Sequence, residues 1–249
     1  MMSPRRIRER KAMLKAWGLA QSSDVAVRMA AERISRTPVM GKQARLVLAA
    51  WRAANATGYQ RLYPRIVIAA GHVKGWNTSR LLDSGSEGAI VITLADELAD
   101  ELKRRGQSVS VVPHDLDLSA EIAWVTAHAP AGALAVEMHT NGPGGRGLLT
   151  IYSPWSSASR KAARRISKAV SASQAMPLYG TGLLSSSVVA GWHGWRDIGW
   201  TRALRAAGYV PVMPECGFHS DPKDAAILND AASRRRLVVA LADGIAPPL

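Results

Sequence analysis

From Arg65 onward, short apolar runs rich in β-branched residues alternate with longer stretches of helical periodicity, and that alternation admits few architectures. Ile66-Val-Ile-Ala-Ala70, ended by Gly71, reads as a buried strand. Ile90 to Arg105 places apolar residues at 90, 91, 94, 98 and 102 and stops at Gly106, the pattern of a helix. Further strands are expected at Ser108 to Val112, Ala133 to Met138, Gly147 to Tyr152 and Tyr209 to Met213. Helices are expected at Leu118 to His128, Ser157 to Ser171 and Arg196 to Ala207, with one or two over Asp224 to Ile245. Strands alternating with helices of about a dozen residues imply a mostly parallel sheet covered on both faces. The expected fold is therefore α/β, a three-layer sandwich with a twisted, mainly parallel sheet flanked by helices. Pro177 to Gly194, with Ser185-Ser-Ser187 and Trp192, fits no element of this scheme.

The first quarter of the chain is different. Residues 1–65 hold 14 Lys and Arg against Glu9, Asp24 and Glu32, so they carry +11 of the net +13. Ile7 to Leu19, Ser23 to Ile34 and Gln43 to Ala54 have patchy helical periodicity, and the division falls near residue 64. Residues 1–64 are thus expected as a basic helical N-terminal segment and 65–249 as the main domain. Such a segment packs as an extra helical layer or seeks an acidic partner: anionic cell-wall polymer, a membrane surface or, less suitably, nucleic acid. Its apolar residues, Trp17 among them, only partly share one helical face, so a membrane-lying helix is imperfectly matched. Met13 to Leu19 is broken by Lys15, and no secretory signal is visible. The expectation is a chain made and held in the cytoplasm.

In open α/β sheets, ligands sit at the carboxyl ends of the strands. Three of the expected strands end in side chains suited to a metal: Gly71-His72, Glu137-Met-His139-Thr-Asn141 and Met213-Pro-Glu215. Glu87 opens the first long helix. The single cysteine, Cys216, excludes an internal disulfide and a cysteine-based zinc cluster, so a metal site here rests on His and carboxylates. Two imidazoles and a carboxylate with an open fourth position make a catalytic type of zinc site, and a free carboxylate beside it can shuttle a proton. Spacing alone does not define that site, because these intervals match no compact zinc signature.

The order of the elements adds to this. Ile66-Val-Ile-Ala-Ala-Gly-His72, Glu87 opening a helix, Met138-His-Thr-Asn141 and Pro214-Glu-Cys-Gly-Phe-His-Ser-Asp-Pro-Lys-Asp224 together resemble the zinc-dependent N-acetylmuramoyl-L-alanine amidases of the amidase-3 type. The resemblance covers roughly residues 65–247. It implies zinc on His72, Glu87 and His139, with Glu215 as catalytic acid/base. The activity it implies is hydrolysis of the amide between N-acetylmuramic acid and L-alanine in bacterial peptidoglycan, with residues 65–249 as the catalytic domain. Asp221 stands where that family commonly has Asn, and Ala127-His-Ala-Pro130 departs from the usual segment before the His strand. A basic appendage without a visible leader fits a phage endolysin acting on the wall, and an autolysin exported by other means would look similar. A zinc peptidase or deacylase on the same scaffold, or an inactive wall- or polyanion-binding protein, are the rival readings.

The remaining candidates have plainer readings. His114, His128, His193 and His219 are expected on the surface or in loops. Glu137 shares a strand face with His139, so it either orients that imidazole or sits in a solvated ion pair. Cys216 has no His placed in sequence to activate it. Gly142-Pro-Gly-Gly-Arg-Gly147 is followed by a strand and not a helix, so it reads as a turn beside the site and not a phosphate cradle. The basic helix bearing Arg160, Lys161, Arg164, Arg165 and Lys168 reads as a solvated face.

Overall fold

The structure, a computed structural model, describes residues 59–72, 78–192 and 198–248. The readings made for residues 1–58, and for His193, lie outside the described residues. The described residues include six strands: β1 (Ile66–Ala70), β2 (Val109–Val111), β3 (Leu134–Asn141), β4 (Leu148–Tyr152), β5 (Leu178–Ser185) and β6 (Val210–Phe218). Among the described residues seven helices accompany them: α1 (Glu87–Arg104), α2 (Leu118–His128), α3 (Ser157–Ser173), α4 (Ser186–Trp192), α5 (Gly199–Ala206), α6 (Pro222–Asn229) and α7 (Ala231–Ile245).

The strands form one sheet in the order β2-β1-β3-β6-β4-β5. All neighbouring pairs are parallel except β4 with β6. That exception has a simple cause. Only the loop from Gly142 to Gly147 separates β3 from β4, and a parallel return needs a crossover of a dozen or more residues. The loop instead passes over the end of β6, and β4 runs back down beside it. Gly145 makes this passage possible, since a Cβ there would lie 2.3 Å from the Phe218 ring.

Alternation along the strands splits the core in two. Leu134, Val136 and Met138 of β3 face α1, α3 and α7, where they join Leu94, Leu98, Ile166 and Leu241. Ala133 and Ala135 face the other way, with Val67, Ala69, Ile151 and Met213, against Val125 of α2 and Trp200 and Leu204 of α5. The result is the three-layer sandwich expected from the sequence, with a mixed sheet between helices. Most helices begin on a side-chain cap. Ser86, Asp117, Ser156, Asp221 and Asp230 each accept a backbone N–H of the first turn, which satisfies a donor the helix itself leaves open.

The strand at Leu178–Ser185 was not anticipated. It is an edge strand whose Tyr179, Gly180 and Thr181 are exposed, and Gly180 and Gly182 adopt left-handed φ of 57° and 70°. A bulged, glycine-bearing edge shows neither apolar alternation nor a β-branched run.

At the C-terminal end of α1 lies a buried ionic cluster. Arg105, 2% exposed, donates to Glu101 at 2.6 Å and Asp243 at 2.7 Å, and to the carbonyls of Val239 at 3.2 Å and Ala246 at 3.3 Å. Arg104 and Arg235 also pair with Glu101, and the Tyr59 ring lies 4.3 Å from the Arg105 guanidinium carbon. Residues 59–63 rest against this domain: Gln60 N–H donates to the Pro247 carbonyl at 2.8 Å, and Tyr63 packs on the core.

Candidate metal centre

Four elements bring the predicted residues to the carboxyl end of the central strands. β1 delivers His72 one residue past Gly71, at a left-handed φ of 53°. Non-glycine residues seldom hold that conformation, and where they do the cause is commonly functional. β3 delivers His139, 7% exposed. Glu87 is the first residue of α1, capped by Ser86, and is fully buried.

His72, Glu87 and His139 each offer one ligand atom, and these atoms all lie within 4.8 Å of one another. The two imidazole rings meet edge to face, with centroids 4.9 Å apart at 81°. Glu87 Oε1 is 3.5 Å from His139 Nδ1. Two ligands of a tetrahedral zinc ion, each at ~2.1 Å, stand ~3.4 Å apart, so this spacing suits one shared ion. Glu87 Oε1 also accepts the backbone N–H of Thr140 at 3.0 Å, which fixes the carboxylate against the end of β3.

Gly71 is required by this packing. A Cβ at that position would lie 2.1 Å from Cε1 and 2.2 Å from Nε2 of His139. The imidazole therefore occupies the space a side chain at 71 would fill. The Gly71 N–H donates to the Met138 carbonyl at 2.9 Å and locks the two strands where their histidines emerge.

Glu215 of β6 stands opposite His139 in the strand register. Met213 belongs to the α2/α5 side of the sheet, so the pleat puts Glu215 on that side as well. Its Oε2 is buried and makes no hydrogen bond among the described residues. Desolvation pushes the Glu215 carboxyl up to about 7; His139 pulls it down, while Glu87 and Glu137 raise it further. Desolvation also acts to lower the His139 imidazole, but Glu137 and Glu87 outweigh it and hold the group well above its usual range. His72 moves the other way, lowered by desolvation and by His139. The carboxylates around His139 thus demand positive charge at the centre. Together with the donor set and the ligand spacing, this fits a divalent cation such as zinc.

Several neighbours were given other roles, or none, from the sequence. His219, expected on the surface or in a loop, is instead buried at 7% exposure. Its Nδ1 lies 3.2 Å from Thr140 Oγ1, its N–H donates to the Asn141 carbonyl at 3.1 Å, and its carbonyl accepts Ser79 Oγ at 2.7 Å. It braces the end of β3. Glu121 of α2 is a buried acid, raised to about 8 by desolvation and then by Glu137. Asp224 accepts the N–H groups of Gly147 at 2.6 Å and Phe218 at 2.9 Å, so it ties the glycine-rich loop to the end of β6. Asp221 caps α6 through Lys223 and Asp224 N–H. A helix cap of this kind marks these acids in a sequence; a buried tertiary bridge does not.

The other candidates fall away from the centre. Cys216 points into the α1/α3/α7 side of the core, and burial pushes its thiol far up, so it is no nucleophile. His128 is exposed and stacks on Trp124, with centroids 4.4 Å apart. His114 Nε2 lies 3.2 Å from Asp96.

Comparison with known proteins follows the same lines. The family model described as N-acetylmuramoyl-L-alanine amidase matches residues 66–247. No curated protein matches. Among solved structures, an N-acetylmuramyl-L-alanine amidase from Mycobacterium smegmatis shares 18% identity at a TM-score of 0.57, covering 75% of this chain and 97% of its own. The catalytic domain of an N-acetylmuramoyl-L-alanine amidase from Bacillus (Paenibacillus) polymyxa var. colistinus shares 22% at 0.54, with 73% and 95% covered. The catalytic domain of an endolysin targeting Clostridia Difficile shares 18% at 0.53, with 73% and 96% covered. At these identities the likeness is one of fold.

Proposed function

The chain belongs to the N-acetylmuramoyl-L-alanine amidase family of the amidase-3 type, and we propose that it hydrolyses the amide between N-acetylmuramic acid and L-alanine in peptidoglycan with zinc held by His72, Glu87 and His139. The observation that carries the zinc dependence is the convergence of those three ligand atoms within 4.8 Å, beside a carboxylate with an unpaired oxygen on the adjacent strand.

When bound, zinc supplies a Lewis acid for the scissile carbonyl and lowers the pKa of a coordinated water to about 7. The chain's own residues do the rest. Glu215 Oε2 accepts the proton of the attacking water and returns it to the departing amine of L-alanine. Burial and neighbouring carboxylates bring that group to about 7, in the range where an acid/base works in both directions. Glu87, braced by Thr140 N–H, keeps the ligand cage from shifting as charge develops.

We place this activity at the bacterial wall, for cell lysis. The concentration of basic residues in the N-terminal segment, residues 1–64, supports contact with anionic wall polymer or membrane surface, and the endolysin neighbour supports a lytic role. Digestion of purified peptidoglycan by wild type and Glu215→Ala, with and without chelator, tests the reading by mass spectrometry. New N-terminal L-alanine on peptides freed from intact glycan, lost on chelation or substitution, is the expected result. Release of fragments cut inside the peptide would instead make the protein a zinc peptidase on this scaffold.

A further inference from the structure

His139 has a carboxylate at each ring nitrogen. Nδ1 is 3.5 Å from Oε1 of Glu87, itself one of the three residues whose ligand atoms converge. Nε2 is 3.4 Å from Glu137 Oε2. Ala135, Glu137 and His139 alternate onto one face of β3, so Glu137 and His139 are side-by-side neighbours on the sheet. Glu137 is 5% exposed. Its Oε2 and His139 Nε2 are both buried, and neither makes a hydrogen bond of good geometry among the described residues. Buried polar atoms without partners are uncommon and call for an explanation. Here two of them face each other.

We propose that Glu137 is a positioning residue that accepts a hydrogen bond from His139 Nε2–H and thereby fixes His139 as an Nδ1 ligand of the metal. A neutral imidazole carries one ring proton, so a carboxylate that holds it at Nε2 leaves the lone pair on Nδ1. Glu137 also blocks the ring from flipping and adds electron density to the ligand nitrogen. It is not itself a fourth ligand. The residues whose donor atoms converge are His72, Glu87 and His139; Glu137 is not among them, and it stands at Nε2 while Glu87 stands at Nδ1. The alternative, a surface ion pair, has no support, since no Lys or Arg of the described residues is paired with Glu137 and the side chain is buried.

This role rests on the metal centre proposed above, and the experiment separates the two. Zinc affinity of the full chain is measured by competition with a chromophoric chelator for wild type, Glu137→Gln and Glu137→Ala, with folding checked by circular dichroism. Zinc should bind Glu137→Ala ~10- to 100-fold more weakly. Glu137→Gln, which keeps an acceptor oxygen, should lose less. The ¹⁵N spectra of histidine-labelled, zinc-loaded wild type should show His139 protonated on Nε2 and metal-bound at Nδ1, a readout that needs no variant to fold. Unchanged affinity in Glu137→Ala, or zinc bound at Nε2, overturns the role of Glu137 alone. Wild type that binds no zinc overturns the metal centre and this role with it.

Discussion

Helix α1 buries a cluster of charges at each end, and the two clusters are built to opposite specifications. At its C-terminal end Arg105 and Glu101 are closed in by partners: carboxylates, carbonyls, two further arginines and an aromatic ring. At its N-terminal end, ~27 Å away along an 18-residue helix, Glu87, Glu137 and Glu215 crowd two imidazoles. There Oε2 of Glu137, Oε2 of Glu215 and Nε2 of His139 are without hydrogen bonds of good geometry among the described residues. Burying charge is unfavourable in both places. The closed cluster answers that with full pairing and holds α1 to α7. The open cluster leaves these atoms unpaired around the three residues whose ligand atoms converge.

The contrast can be broken most severely at Glu215. Glu215→Gln should lower the rate of peptidoglycan digestion by at least ~100-fold, while the melting temperature holds or rises because a desolvated acid has been removed. Full activity in this variant would show that the unpaired oxygen is not the acid/base. Arg105→Ala should give the mirror image. Removing one partner from a buried ionic cluster costs about 3–5 kcal/mol, read by urea unfolding, with zinc affinity and activity per folded molecule preserved. Lost activity without lost stability would mean that the two ends of the helix do not divide the labour in this way.

A third measurement asks whether the ends are independent. Zinc at ~100 times its dissociation constant should stabilise the wild type by ~2.7 kcal/mol. The same increment is expected in Arg105→Ala, with chelator reversing it in both. Unequal increments would reveal coupling through α1. The smallest effect concerns Glu121. Its carboxyl is raised to about 8 by desolvation and by Glu137, so folding favours the protonated form. That contribution is complete below the ordinary carboxylate range and is lost as pH rises through about 8. In metal-free protein, Glu121→Gln should therefore flatten the decline in melting temperature between about pH 5 and pH 8. A decline identical to that of wild type would mean that Glu121 titrates normally.

Much of this was legible in the residues. β1, β3 and β6 announced themselves as apolar runs, and the rule that ligands gather at strand ends, joined to the family motifs, singled out His72, His139 and Glu215. Glu87 was a candidate because it opens a periodic helix, and the family resemblance made it a ligand. The direction of β4 was implicit in the brevity of Gly142 to Gly147. β5 was not legible, because Gly180 and Gly182 erase the alternation that marks a strand. Nor was the burial of His219 and Glu121. Their partners are Thr140, Ser79 and Glu137, brought in by the fold from elements distant in sequence, and no local pattern encodes such a meeting. Glu137 lay between these cases. The pleat put it beside His139, but only burial decided between a solvated ion pair and an inward-facing carboxylate.

The absent side chain at Gly71 bears on how relatives of this protein are sorted into active and silent. A duplicate gene could preserve His72, Glu87, His139 and Glu215 without change and still be extinguished by one methyl group at 71, because that carbon would occupy the place of the His139 ring. Tallying the reactive side chains would count such a copy among the enzymes. A census of this lineage should therefore record the residue before the first histidine as carefully as the histidine itself.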